Sequence, residues 1–221
     1  MKPARARAAA LAEPARDCPL CPRLAAFRER NREREPSWFN APVPSFGAKT
    51  GRLLIVGLAP GLKGANRTGR PFTGDFAGDL LYATMIEFGF ARGDYRATPA
   101  DGLELVDARI ANAVRCVPPE NKPTPPEIRA CNPFLAREIA EMAKLAAILA
   151  LGRVAHDAVL AALDLKRASF PFAHGAKYRA EDFTLFDSYH CSRYNTNTGV
   201  LTPAMFRAVF RKLRAYLDGL A

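Results

Sequence analysis

No stretch of the 221 residues is apolar for long enough to span a bilayer. The basic, Ala-rich start up to Cys18 lacks a continuous apolar segment with a cleavage site. That predicts no secretory signal and a cytoplasmic protein, with residues 1–16 as a flexible tail. Cysteine is scarce and odd in number: Cys18, Cys21, Cys116, Cys131 and Cys191. An odd count in a chain without an export signal argues against a disulfide framework. The glycine-containing segment after the first apolar run lacks a Gly-Lys-Ser or Gly-Lys-Thr ending, which excludes a P-loop. It also lacks the dinucleotide-binding glycine pattern, and no flavin or electron-partner motif occurs elsewhere. With no internal repeat and no interdomain linker, residues 17–221 read as one domain.

Nearly half of the residues, 49%, are hydrophobic, so a substantial core can form. Lys and Arg number 32 against 22 acidic residues, a net charge of +10. Such a surplus fits a polyanionic partner, or only a basic isoelectric point. Short apolar runs at 52–57, 105–114, 145–151 and 183–188 read as four strands. Helical spacing covers about 79–88, 126–143, 153–163 and 203–220. The alternation predicts a three-layer α/β/α sandwich on a mostly parallel sheet of about four strands. Ligands in such folds bind beyond the carboxyl ends of the strands. Three loops meet that condition: 58–74, 116–126 and 189–202.

Cys18-Pro19-Leu20-Cys21 is a CxxC pair, and Cys116 and Cys131 lie far downstream with 14 residues between them. Two thiolates from a tight turn and two from a distant segment complete a four-sulfur site. Spacing alone leaves zinc and an iron–sulfur cluster both open, beside a third reading in which the cysteines are merely buried thiols. Cys191 stands apart in the last loop.

The first loop opens Gly57-Leu58-Ala59-Pro60-Gly61, whose small residues let backbone amides approach a ligand. It continues Gly69-Arg70-Pro71-Phe72-Thr73-Gly74-Asp75. An aromatic near a carboxylate, bracketed by glycines, suits stacking of a flat ligand with chemistry beside it. The competing reading puts Phe72 in the core and makes Asp75 a helix cap. The last loop, from Tyr189-His190 to Thr198-Gly199, places a histidine at a strand end before a polar run. A histidine there can donate to developing negative charge, or be a satisfied structural residue. His156 and His174 read as structural.

Taken together, these motifs resemble the uracil-DNA glycosylase superfamily, most closely its iron–sulfur branch called family five or type b. The likeness rests on the four cysteines, Gly57-Leu58-Ala59-Pro60-Gly61, Gly69 to Asp75, Asn112-Ala113-Val114-Arg115-Cys116, and His190-x-Ser192-Arg193-x-Asn195-Thr196-Asn197. The resemblance implies hydrolysis of the N-glycosidic bond of uracil, and of other deaminated bases such as hypoxanthine and xanthine. The partner would be single- or double-stranded DNA and the enzyme a monomer. It implies a 4Fe-4S cluster on Cys18, Cys21, Cys116 and Cys131. It implies that Asp75 orients water or stabilises the sugar cation and that His190 bonds the leaving base. Asn112 would read the base edge, Phe72 would stack on it, and Gly57, Leu58 and Ala59 would line the pocket. Arg193, Asn195 and Asn197 would contact DNA. Two departures stand out: the first loop is apolar at Leu58 and Ala59, and Cys191 follows the histidine where relatives carry proline or valine. A catalytically silent DNA-binding protein and a stricter uracil-only enzyme are the alternatives.

Overall fold

The computed structural model describes residues 13–180 and 182–220. The first twelve residues of the expected tail lie outside them. Within the described part, Ala15 O accepts from the Cys18 amide, and Arg32 donates to Arg16 O.

Strand β1 (Leu53–Gly57) is buried along its whole length. A strand covered on both faces needs apolar side chains on both, and Leu-Leu-Ile-Val supplies them. Leu53 and Ile55 point into one core, Leu54 and Val56 into the other. Parallel partners flank it: β4 (Ala108–Asn112) on one side and β5 (Ala147–Leu151) on the other. Beyond β5 lies β7 (Phe183–Ser188), also parallel, and β6 (Lys177–Ala180) closes that edge antiparallel to β7. The order is therefore β4-β1-β5-β7-β6.

The fold class is as expected, with one strand more than the four read from the sequence. The added β6, Lys-Tyr-Arg-Ala, is a half-exposed edge strand with no continuous apolar run to mark it. The expected strand over 105–114 is shorter for a local reason. Asp107 has a φ of +53°, which breaks the extended chain ahead of β4. The preceding Glu104–Leu105 (β3) instead pairs with Ala91–Arg92 (β2) as a separate antiparallel ribbon.

Two short helices, α2 (Ala65–Thr68) and α6 (Arg193–Asn197), lie in the loops after β1 and β7. One face of the sheet is covered by α3 (Phe76–Glu87) and α7 (Pro203–Asp218). Phe206, Val209, Phe210, Leu213 and Leu217 are the buried stripe of α7. The other face is covered by α4 (Pro125–Glu141) and α5 (Arg153–Ala162). A capping box starts α4: the Thr124 amide donates to Glu127 at 2.7 Å. The same Glu127 receives two hydrogen bonds from Arg23, which fastens α1 (Pro22–Arg34) to the body. Helix α1 carries little sequence signal, because its five arginines in thirteen residues leave only a weak apolar stripe. Among the described residues no helix is long and apolar enough to cross a membrane.

Strand β1 is followed by β4 on one side, and the chain then returns to place β5 on the other. The crossovers diverge there, so a crevice opens at the carboxyl ends of β1, β4 and β5.

Candidate active site

That crevice is a cleft of about 950 Å³. Leu58 and Ala59 come from just past β1, Asn112 from the end of β4, Gly152 from just past β5, and His190 from just past β7. Phe72 and Asp75 line it from the loop that precedes α3.

Asp75 does two things at once. It is the N-cap of α3, its Oδ1 accepting from the Gly78 amide at 3.2 Å. Its other oxygen lies against Gly64, where any side chain would collide with it. The capping and functional readings are thus compatible, since one oxygen binds the helix and the other faces the cleft wall. Burial pushes the carboxyl pKa above its ordinary value, against the pull of the Gly78 and Ala77 amides.

Phe72 is buried, and its ring lies stacked on that of His190, with centroids 5.9 Å apart and planes 27° off parallel. It approaches the sheet closely because β1 ends in glycine. A Cβ on Gly57 would stand 2.5 Å from Asn112 Oδ1 and 2.6 Å from the Phe72 ring. Gly57 therefore serves by leaving room for the two side chains beside it. Asn112 is buried at the end of β4 and makes no side-chain hydrogen bond among the described residues, leaving its amide for a ligand.

His190 sits in the cleft wall, its Cβ 3.4 Å from where a Cβ on Gly152 would be. Burial pulls its pKa down to about 4, so the ring is neutral at physiological pH. A neutral imidazole donates a hydrogen bond without carrying charge. Its loop is pinned from two directions. Asn195 Nδ2 donates to His190 O at 2.8 Å, and the fully buried Cys191 thiol donates to Ala77 O in the first turn of α3. Cys191 thus links the histidine loop to the helix capped by Asp75.

The expected DNA contacts separate. Arg193 is exposed at the cleft, with its guanidinium 5.3 Å from the Phe76 ring centre. The Asn195 side chain turns inward to His190. Asn197 is exposed and lies away from the cleft lining. Sequence reading missed Asn121, Arg153 and Tyr194, all of which line the cleft. Asn121 has a φ of +56° in the proline-rich loop after β4, a left-handed turn that asparagine adopts readily. Tyr194 is 74% exposed. Its only sequence signal is an aromatic within a polar loop.

His156 and His174 are structural, as read. Both ring nitrogens of buried His156 are bonded, Nδ1 to Asp187 Oδ1 at 2.7 Å and Nε2 to Phe170 O at 2.8 Å. His174 Nδ1 accepts from the Tyr189 amide at 3.2 Å.

Cys18, Cys21, Cys116 and Cys131 line a second, small cavity together with Leu24, Val114 and Phe134. Cys21, Cys116 and Cys131 share a minor core with Ala59 of the cleft loop, so this cavity buttresses the cleft. Burial pushes the Cys116 thiol up to about 11 and the Cys131 thiol up to about 12. Donors converge on the sulfurs all the same: the Arg115 amide reaches Cys131 Sγ at 3.3 Å, and Arg28 Nη1 lies 3.9 Å from Cys116 Sγ. The Arg28 side chain is buried there, and its Nε has no hydrogen-bond partner among the described residues. A buried cation beside four thiols suits an anionic thiolate-bound group. Among the described residues, no three His, Cys, Asp or Glu side chains converge tightly enough for one metal ion.

The family model for the uracil DNA glycosylase superfamily matches residues 44–214, which hold every cleft residue named above. A type-5 uracil-DNA glycosylase of Thermus thermophilus is 45% identical over 204 residues, covering 89% of this chain and 92% of the relative. One of Pyrobaculum aerophilum is 37% identical over 203 residues, covering 90% and 88%. A type-4 uracil-DNA glycosylase of Sulfurisphaera tokodaii is 30% identical over 174 residues, covering 76% and 72%. With the cleft at the strand ends and these matches over most of its length, the chain belongs to the uracil-DNA glycosylase superfamily and is most similar to its type-5 members.

Proposed function

We propose that this protein is a monofunctional DNA glycosylase. It hydrolyses the N-glycosidic bond of uracil in single- or double-stranded DNA, and also that of hypoxanthine and xanthine. The observation that carries this reading is the convergence of Asp75, Phe72, Asn112 and His190 on one cleft at the sheet's switch point.

A base inside a duplex cannot reach such a cleft, so the nucleotide is turned out of the stack first. Phe72 then stacks on the base, and the free Asn112 amide bonds its edge. As the C1′–N bond breaks, positive charge develops on the sugar and negative charge on the base. Neutral His190 donates to the departing base anion, where a fixed donor in a dry site is worth about 3–4 kcal/mol. The Asp75 carboxylate faces the sugar side, stabilises the cation and orients the water that adds to C1′. The water's hydroxyl ends on the sugar and its proton on the released base. The apolar stretch Leu58-Ala59 places no charged side chain against the base, which favours a tolerant pocket.

Cys18, Cys21, Cys116 and Cys131 would hold a 4Fe-4S cluster. Bound there, it supplies a structural clip between the N-terminal segment and the loop after β4, and so supports Ala59. Arg193 at the cleft is the phosphate contact. The enzyme acts as a monomer in the cytoplasm.

The test is a base-release assay on duplexes holding a single uracil, hypoxanthine or xanthine, with alkali cleavage of the abasic product. Breaks at all three lesions support the broad enzyme. Breaks at uracil alone restrict it to that base, and none at any lesion rejects the glycosylase.

A further inference from the structure

Phe72 has a φ of +52°, in the left-handed region that a bulky side chain avoids at a cost of about 1–3 kcal/mol. Such a conformation persists only where its surroundings fix it. Three groups outside the cleft lining do so, and the reaction described above uses none of them.

The first is Tyr95. Its hydroxyl donates to Phe72 O at 3.1 Å and accepts from the Gly74 amide at 3.4 Å, clamping the loop on both sides of Thr73. Burial pushes the Tyr95 phenol up to about 12, so it stays a donor across the working pH range. Close approach of α3 completes the grip, because a Cβ on Gly78 would overlap Phe72 O. The second is Tyr82, whose hydroxyl donates to Pro71 O at 2.5 Å and whose ring packs on Tyr95 with centroids 4.7 Å apart. The third is Arg70, buried and paired bidentately with Asp101 at 2.8 and 2.7 Å. Its guanidinium lies 5.2–5.9 Å from the ring centres of Phe46, Tyr82 and Tyr95, and its Nε donates to Thr73 Oγ1 at 2.7 Å. Asp101 also accepts from the Arg96 and Leu103 amides, which ties the segment carrying Tyr95 to the same ion pair.

We infer that Tyr95 is a positioning residue. Seated on the Arg70–Asp101 pair, its hydroxyl holds Phe72 in the left-handed conformation that presents its ring to the base. This rests on the glycosylase reading, since it assigns Tyr95 a role in turnover through Phe72.

The experiment is a double-mutant cycle on single-turnover uracil release from duplex DNA, with wild type, Tyr95→Phe, Phe72→Ala and the double variant. Tyr95→Phe removes one oxygen and leaves the ring against Tyr82, so the fold is kept; a melting curve checks this. Its release rate should fall ~10- to 100-fold, with affinity for DNA unchanged. In the Phe72→Ala background the same change should alter the rate by less than about twofold. An equal fall in both backgrounds overturns the proposal, because the hydroxyl would then act independently of Phe72. An unchanged rate in Tyr95→Phe also overturns it. A wild-type protein that releases no base rejects the glycosylase reading first, and the positioning role with it.

Discussion

Asp75 and His190 face the same cleft with pKa values shifted in opposite senses, and burial is the cause of both. A buried carboxyl resists ionisation and a buried imidazole resists protonation. In the proposed mechanism Asp75 must be ionised to stabilise the cation, and burial holds its pKa above the ordinary 3.8. His190 loses its neutral form only near pH 4. Between pH 4 and 8 the single-turnover rate should therefore fall on the acid side, with a midpoint above 3.8. In Asp75→Asn the remaining rate should be ~100-fold lower or less, and its acid limb should retreat to that of His190. An unaltered profile in that variant would remove Asp75 from the chemistry. His190→Ala should lower the rate ~100- to 1000-fold at pH 7 while DNA binding persists, measured by single turnover and by anisotropy.

Elements meet at the cleft in pairs, and buried polar contacts fix how they meet. The His156–Asp187 pair joins α5 to β7, directly behind the end of the strand that leads into His190. Burial disfavours a charged imidazole. The Asp187 carboxylate and the Phe170 carbonyl outweigh that and hold the His156 pKa above 6.5. The folded state thus binds the proton more tightly than the unfolded chain does. The pair's contribution is full below about pH 6.5 and fades as pH rises through the elevated value. The melting temperature of the wild type should fall over that rise, and Asp187→Asn, already lower, should fall less. Parallel curves for the two proteins would mean that the pair carries no linked proton. Two more elements meet through Arg23 and Glu127, which hold α1 where its preceding turn presents Cys18 and Cys21 to Cys116 and Cys131.

For the molecule as a whole, the net charge of +10 becomes a statement about its partner only when joined to the cleft. Arg153, Arg193 and Lys63 stand at that cleft, while Arg70, Arg109 and Arg115 are buried in ion pairs that no phosphate reaches. Counterion release should make duplex affinity fall linearly on a log–log plot against salt. The slope should count a few contacts rather than the full excess. Arg193→Gln should flatten it by about one contact, read by anisotropy between 50 and 200 mM salt. A salt-independent affinity would place DNA elsewhere.

Much of this protein is written locally. Apolar runs ending in glycine announce β1 and β5, since a strand covered on both faces can be built from little else. The glycine-bracketed Phe72–Asp75 segment and the strand-end His190 mark the cleft because such residue types are unusual in plain connectors. Other features depend on contacts distant in sequence. The edge strand β6 has no pattern of its own and exists because β7 offers it a free side. Asn195 looks like a DNA contact until the loop folds and its amide finds His190 O. Asp75 looks like either a cap or a catalytic group, and only the folded chain shows that capping occupies one oxygen and leaves the other against Gly64 at the cleft. The sequence by itself determined the layered α/β fold, the four-cysteine set and the loops that line the cleft, because these depend on hydrophobic period and residue type. Tertiary structure decided the switch-point cleft, the clamp on Phe72 and the opposed pKa shifts, because each arises from burial and from partners that meet only when the chain is folded.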